Sequence, residues 1–230
     1  MLAAIGAPDI RPRAVGGWNA GSSPFVNSHG RASSIELMGA PLSFCRKEEI
    51  YGEGEPAEYL YRVVSGSVRT YKVLDDGRRQ IGGFYFPGDM FGLESGKEHS
   101  FSAEAITEAR IMVIKRSSVV AMAEHDTDVA RQLWAVTSRE LQRAQNQVLF
   151  LIRSAQERVA SFLLEMADRV GSTTHIQLPM SRQDIADYLG LTIETVSRTL
   201  TQFHEEAVIA IPTSRRIVLR NRSALIRLSA

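Results

Sequence analysis

The chain has 230 residues, 44% of them hydrophobic, and carries 27 Lys+Arg against 26 Asp+Glu for a formal net charge of +1. That length suits one large or two modest domains, each burying its own core, and the near-zero charge confines any basic footprint to a local patch. A single cysteine, Cys45, excludes an internal disulfide framework and an iron–sulfur cluster, which needs about four thiolates. No apolar run approaches the roughly 18 residues of a membrane span, and the opening MLAAIGAPDIRPR lacks the form of a signal peptide, so a cytoplasmic protein with no membrane partner is expected.

Residues 1–33 are rich in Gly, Ala, Pro and Ser with little apolar periodicity, and read as a disordered segment in which Trp18 and Phe25 are candidates for local docking. Residues 34–125 then show short alternating stretches, YLYRVVSGSVRTYKV, QIGGFYFPGDMFG and ARIMVIK. Turn signals at Ser65-Gly66, Asp76-Gly77 and Pro87-Gly88 separate them, which predicts a small antiparallel barrel or jelly-roll-like sandwich. Cys45 falls in this region, before Arg46 and Lys47, and reads as a buried strand thiol of inert packing, with a redox switch as the competing idea.

Over residues 126–153 the period changes. Ala130, Trp134, Thr137, Leu141, Ala144, Val148 and Leu151 follow one another in steps of four and three, the seam of a coiled coil, and predict a dimerisation helix. The competing reading packs this helix only on its own barrel. Residues 154–230 begin with a second helix to about Val170, a GSTT turn and a short strand HIQLP.

The stretch SRQDIADYLGLTIETVSR, residues 181–198, then reads as two short helices joined by a glycine turn. Ser181 stands at an N-cap with Asp184 three residues on, Ile185, Ala186 and Leu189 share one face, and Gly190 supplies a left-handed residue that ends the helix. Leu191 drops inward, Thr192 caps the second helix, and Val196 and Leu200 face the core. Glu194, Ser197 and Arg198, at i, i+3 and i+4, share the outward edge of its first turns, where a recognition helix meets base edges in the major groove. Arg198 can offer two donors to guanine, Glu194 can accept from cytosine or adenine, and Ser197 can touch base or phosphate. An ordinary surface Glu–Arg pair at i, i+4 is the plain alternative.

Beyond it, VIAIPTSRRIVLR reads as a hairpin wing with Arg215 and Arg216 at its tip, suited to phosphate contacts, with a solvated turn as the alternative. After Glu206 the chain holds Arg215, Arg216, Arg220, Arg222 and Arg227 and no carboxylate, so positive charge gathers at this end. Ser181, Arg182, Thr192, Ile193 and Thr195, with Arg215 and Arg216, are the expected backbone or secondary contacts to double-stranded DNA.

A β-roll, a long dimer helix and a winged helix-turn-helix in this order resemble the Crp/Fnr superfamily of bacterial transcription regulators, over about residues 40–225. ETVSR, Glu194 to Arg198, is similar to the Fnr-type recognition signature, which implies base reading by Glu194, Ser197 and Arg198 on a palindrome of the TTGA–TCAA type. Thr199 departs from it, since an apolar residue is commoner there. Nucleotide-binding members show a cassette like Phe-Gly-Glu followed by Arg-Ser. This chain has Phe91-Gly92-Leu93 and His99-Ser100, so neither ribose nor cyclic phosphate finds its expected partner.

The resemblance falls on the FixK branch, which implies an α+β, homodimeric, effector-independent activator of microaerobic or nitrogen-fixation genes that works with RNA polymerase and needs no cofactor. The rival is the same fold gated by an unidentified ligand, haem or cysteine chemistry. The five histidines form no tight metal-ligand pair, and neither a nucleophile elbow nor a phosphate loop is present, so an enzyme is not expected.

Overall fold

A computed structural model describes residues 39–150 and 152–229. The segment 1–33, with Trp18 and Phe25, and the seam residue Leu151 lie outside the described residues.

Eight strands come first: β1 (Ala40–Phe44), β2 (Glu49–Tyr51), β3 (Tyr59–Ser65), β4 (Val68–Val73), β5 (Arg79–Tyr85), β6 (Met90–Phe91), β7 (Ser102–Ala105) and β8 (Ala109–Lys115). They form two antiparallel four-stranded sheets, ordered β1-β8-β3-β6 and β2-β7-β4-β5. Strand alternation sorts the side chains between two cores. Tyr61 and Val63 of β3 turn inward with Tyr51, Phe91 and Ile111, whereas Leu60 turns outward with Ile114 to meet helices. Asp76-Gly77 stands at the tip of the β4–β5 hairpin, whose register runs from Val68↔Tyr85 to Val73↔Arg79. At the β3–β4 turn Gly66 has φ +84°, and a Cβ there would stand 2.3 Å from the Glu108 carbonyl oxygen, so both conformation and space demand glycine.

Cys45 is not the buried strand thiol expected from its neighbours. It lies one residue past β1 and is exposed, because Arg46 and Lys47 form a turn there, with Lys47 at φ +69°.

Two helices follow the roll: α1 (Arg116–Ala123), which continues β8 without a loop, and α2 (Thr127–Leu149). The Asp126 side chain caps α2, accepting from the amides of Asp128 at 2.9 Å and Val129 at 3.3 Å. Val129 and Val136 pack against Leu60, Met90 and Ile114. Further along that inner edge the contacts turn polar, with Gln147 donating to the Gly82 carbonyl at 2.9 Å. The outer edge holds the predicted seam: Trp134 is 77% exposed, Leu141 59% and Val148 62%. The helix therefore packs on its own roll with one face and leaves the heptad face bare. The helix also ends sooner than the expected 153, at Leu149.

The C-terminal unit comprises α3 (Ala155–Val170), β9 (His175–Gln177), α4 (Arg182–Leu189), α5 (Ile193–Glu205), β10 (Ile209–Thr213), β11 (Arg216–Leu219) and α6 (Arg222–Leu228). β9 joins the wing hairpin as a third strand, in the order β10-β11-β9. One apolar cluster unites Phe162, Leu163 and Met166 of α3 with Ile185 and Leu189 of α4 and Val196, Leu200 and Phe203 of α5. Ile81, Phe84, Phe86 and Ile106 of the roll belong to the same cluster, so the two halves share a core. Among the described residues no helix is long and apolar enough to cross a membrane.

Candidate nucleic-acid interface

The first helix of the motif, α4, is closed at both ends by its own residues. Ser181 Oγ accepts from the Asp184 amide at 3.1 Å, and the Ser181 amide donates to Asp184 Oδ2 at 2.9 Å, a carboxylate capping box. Gly190 takes φ 64°, ψ 40°, the left-handed conformation that stops the helix, and the Leu191 amide bonds the Ala186 carbonyl at 2.9 Å. Thr192 then caps α5, its hydroxyl accepting from the Thr195 amide at 3.2 Å. Val196, Thr199, Leu200 and Phe203 are buried, so the inward set holds the polar Thr199 without displacing the helix from the core.

On the opposite edge Glu194 and Arg198 are exposed and Ser197 is half-buried. No described residue hydrogen-bonds or ion-pairs with Glu194 or Arg198, and they do not pair with each other, which disposes of the plain i, i+4 salt-bridge reading. The donor and the acceptor both remain available to a partner. Ile193, exposed beside them, adds an apolar group of the kind that meets a thymine methyl.

The other expected contacts divide. Ser181 uses its hydroxyl within the cap, also donating to Asp184 Oδ2 at 2.8 Å, and Thr195 shares a hydroxyl contact with Thr192 at 3.0 Å. Arg182, at the start of α4, is half-buried, and burial pushes its guanidinium below the usual arginine range. At the wing tip Arg216 is exposed, but Arg215 donates to the Pro179 carbonyl at 2.9 Å. Arg215 thus ties the wing to the segment leading into α4, whereas no described residue forms an ion pair with the exposed Arg216 side chain. The pattern of the sequence missed Arg158, whose Nη1 donates to the Leu189 carbonyl at 3.0 Å and whose Nε donates to the Arg153 carbonyl at 2.9 Å, buttressing the turn from α3. Nothing in a lone arginine on a helix announces such a role.

Asp184 also faces the roll. Its Oδ1 accepts from Arg69 at 2.8 Å and from Arg79 at 2.6 Å. Burial by itself would raise this carboxyl, but the Ser181 amide and hydroxyl, with Arg69 and Arg79, hold it below the usual carboxylate range.

Between the roll and the helices a cavity of about 390 Å³ opens, lined by Tyr51 and Phe91-Gly92-Leu93 on one side and by the inner edge of α2 with Arg169 and Tyr188 on the other. His99, where the resemblance puts a phosphate-binding arginine, is buried, stacks on Tyr51 at 3.6 Å between centroids, and turns Nδ1 to within 3.2 Å of Glu94. The arginines on the cavity wall, Arg143 of α2 and Arg169 of α3, both pair with Asp89. Burial raises the Glu140 and Glu165 carboxyls beside them against the pull of these cations. Among the described residues no group of three or more His, Cys, Asp or Glu could hold a metal.

Two capped helices joined by a left-handed glycine, with a hairpin directly after the second, are the form of a winged helix-turn-helix, and the class is therefore a DNA-binding protein carried behind a β-roll. Residues 157–228 match the Crp-like helix-turn-helix domain and residues 41–126 the cyclic nucleotide-binding domain. The nitrogen fixation regulation protein FixK of Azorhizobium caulinodans is 53% identical over 205 residues, covering 86% of this chain and 83% of that protein. The transcriptional activatory protein AadR of Rhodopseudomonas palustris is 44% identical over 182 residues, 77% of this chain and 76% of that one. The solved structure of FixK2 from Bradyrhizobium japonicum superposes with a TM-score of 0.79 at 54% identity, covering 84% of this chain and 98% of that chain. The chain belongs to the Crp/Fnr family of transcription regulators. Members of that family control transcription and are not enzymes.

Proposed function

We propose that this protein is a homodimeric activator that binds a palindrome of the TTGA–TCAA type without a small ligand, recruits RNA polymerase, and governs nitrogen-fixation or microaerobic genes, as the names of its FixK relatives suggest. The observation that carries the reading is the exposed edge of α5, where Glu194 and Arg198 present an acceptor and a donor fork that no described residue pairs with. Arg198 reads guanine, Glu194 reads an amino group of cytosine or adenine, Ser197 adds a base or phosphate contact, and Ile193 lies against a methyl group. Thr192, Thr195, Ser181 and Arg182 line the approach to the phosphates.

Two copies are needed because one such helix reads only a half-site. The bare face of α2, with Trp134, Thr137, Leu141, Ala144 and Val148, supplies the joint, and Leu151 extends the same heptad pattern in the sequence. Each large side chain buried there contributes about 1.5–3 kcal/mol, in duplicate by symmetry. Effector independence is supported by Arg143 and Arg169, which are committed to Asp89.

A second reading, ligand gating, is favoured by the cavity itself and by the buried Tyr51 hydroxyl on its wall, which no described residue hydrogen-bonds. Electrophoretic mobility-shift titration of purified, ligand-free protein separates the two. A TTGA-type palindrome should bind at least about 10³-fold more tightly than a scrambled duplex at physiological salt. Binding that appears only after a small molecule is added transfers the case to gating, and equal binding of both duplexes removes sequence-specific reading altogether.

The wing makes a separate prediction. Arg216→Ala should weaken palindrome and scrambled duplex by the same factor and lower the slope of log affinity against log salt by about one, as loss of one phosphate contact requires. A change confined to the palindrome would assign Arg216 to base reading instead.

A further inference from the structure

Arg69 and Arg79 stand on β4 and β5 of the roll, and their guanidinium groups reach across to α4. Arg79 Nη2 lies 2.6 Å from both Asp184 Oδ1 and Asp187 Oδ2, and its Nε donates to Asp187 Oδ2 at 2.7 Å. Arg69 bridges Asp184 on the motif to Glu104 on β7, at 2.8 Å each. These groups are largely withdrawn from water: Asp184 is 4% exposed, Asp187 11% and Arg69 12%. Elsewhere the seam is mainly apolar, with Ile81, Phe84 and Phe86 against Phe162 and Tyr188, and one further ionic link runs from Arg169 of α3 to Asp89 and the Phe84 carbonyl of the roll.

The two parts of the seam act differently. Apolar burial is non-directional, so it holds the motif against the roll without choosing among nearby angles. A guanidinium fork bridging two carboxylates one helical turn apart is directional, and it selects one. Since α4 and α5 share a core through Ile185, Leu189, Val196 and Leu200, whatever fixes α4 also fixes α5.

We infer that Arg69 and Arg79 are positioning residues for operator recognition, which through Asp184 and Asp187 set the angle of the recognition helix on the roll and hence the half-site spacing that the protein accepts. The inference rests on the dimeric, palindrome-binding function proposed for the chain. The roll is joined to α2, which carries the proposed dimer face, so the roll–α4 bridge, the directional contact made to the motif's own first helix, relates one recognition helix to its counterpart, while Arg169 and Asp89 tie α3 to the roll. Pose is then set by side chains already in the chain, which needs no bound molecule.

The test uses full-length protein and duplexes whose TTGA and TCAA half-sites are separated by the preferred spacer or by one or two base pairs more or fewer, with a single half-site duplex as reference. Wild type should lose about 10-fold or more in affinity on the altered spacers. The variant Arg69→Ala with Arg79→Ala should keep wild-type affinity for the single half-site, showing an intact motif, while its preference for the correct spacer collapses to within about 3-fold. Arg79→Lys, which keeps charge and bulk but not the fork, should fall between and decides the question if the double variant does not fold. In a mutant cycle, Arg79→Ala and Asp187→Ala should relax spacing no further together than either alone. Full spacer preference in the folded variants, with wild type discriminating normally, overturns this inference alone. A wild type that binds the palindrome no better than a scrambled duplex overturns the reading beneath it, and the inference with it.

Discussion

On the dimeric reading proposed above, replacing Leu141 and Val148 together by glutamate should leave a folded monomer that loses about 10²–10⁴-fold in affinity for the palindrome while its affinity for a single half-site is unchanged. Both side chains are more than half exposed on the outer edge of α2, and neither belongs to a core cluster of the single chain, so the change removes nothing that holds one copy together. It would place four carboxylates in the proposed dimer seam, where unpaired charge is costly. The loss in binding is the loss of linkage. A dimer that has seated one helix offers the second at an effective concentration near millimolar, and separated copies do not. Sedimentation equilibrium gives the mass, and a titration on whole and half operators gives the affinities. A variant that stays dimeric with full palindrome affinity would show that the bare face of α2 is not the joint.

Arg198→Ala is the second large effect and acts at a different point. Removing one bidentate arginine–guanine contact costs about 1–3 kcal/mol, roughly 5- to 150-fold in affinity per half-site. Discrimination should flatten at a single base pair and persist elsewhere. Folding should be untouched, since Arg198 is exposed and makes no hydrogen bond or ion pair with any described residue. Titrations against operators substituted one position at a time read this directly. Equal weakening at every substituted position would move Arg198 from base reading to phosphate binding, the role proposed for Arg216. The contrast between the two arginines is the sharper for Arg215, which the wing pattern groups with Arg216 but which is spent on the Pro179 carbonyl.

Much of the DNA-facing half is legible in the sequence because its signals are local. Ser181 with Asp184, Gly190, and Thr192 each act over a span of three or four residues, and each occupies the cap or turn predicted for it. The seam of α2 is legible for the same reason, since a period of three and a half residues is a property of one helix. The helices α1 and α6 are not. The first follows β8 directly, from Lys115, which makes no side-chain cap, and the second is seven residues long, its only flag being Asn221, which accepts from the Ala224 amide at 2.9 Å. Cys45 departs from its expected burial because one exposed turn, with Lys47 in the left-handed region, interrupts what reads as continuous strand.

The order of helix, turn and helix, the outward trio of Glu194, Ser197 and Arg198, and the apolar stripe on α2 were therefore determined by the sequence alone, since caps, glycine turns and helical periodicity depend on neighbours in the chain. Only the tertiary structure decided that Arg158 props the turn of the motif, that Arg215 is bound to the Pro179 carbonyl while Arg216 is exposed, and that Arg69 and Arg79 reach Asp184 and Asp187 across more than a hundred residues. Those contacts exist because two independently patterned units bury apolar faces against each other, and the burial, being non-directional, leaves the choice of polar partners to the geometry in which the faces meet.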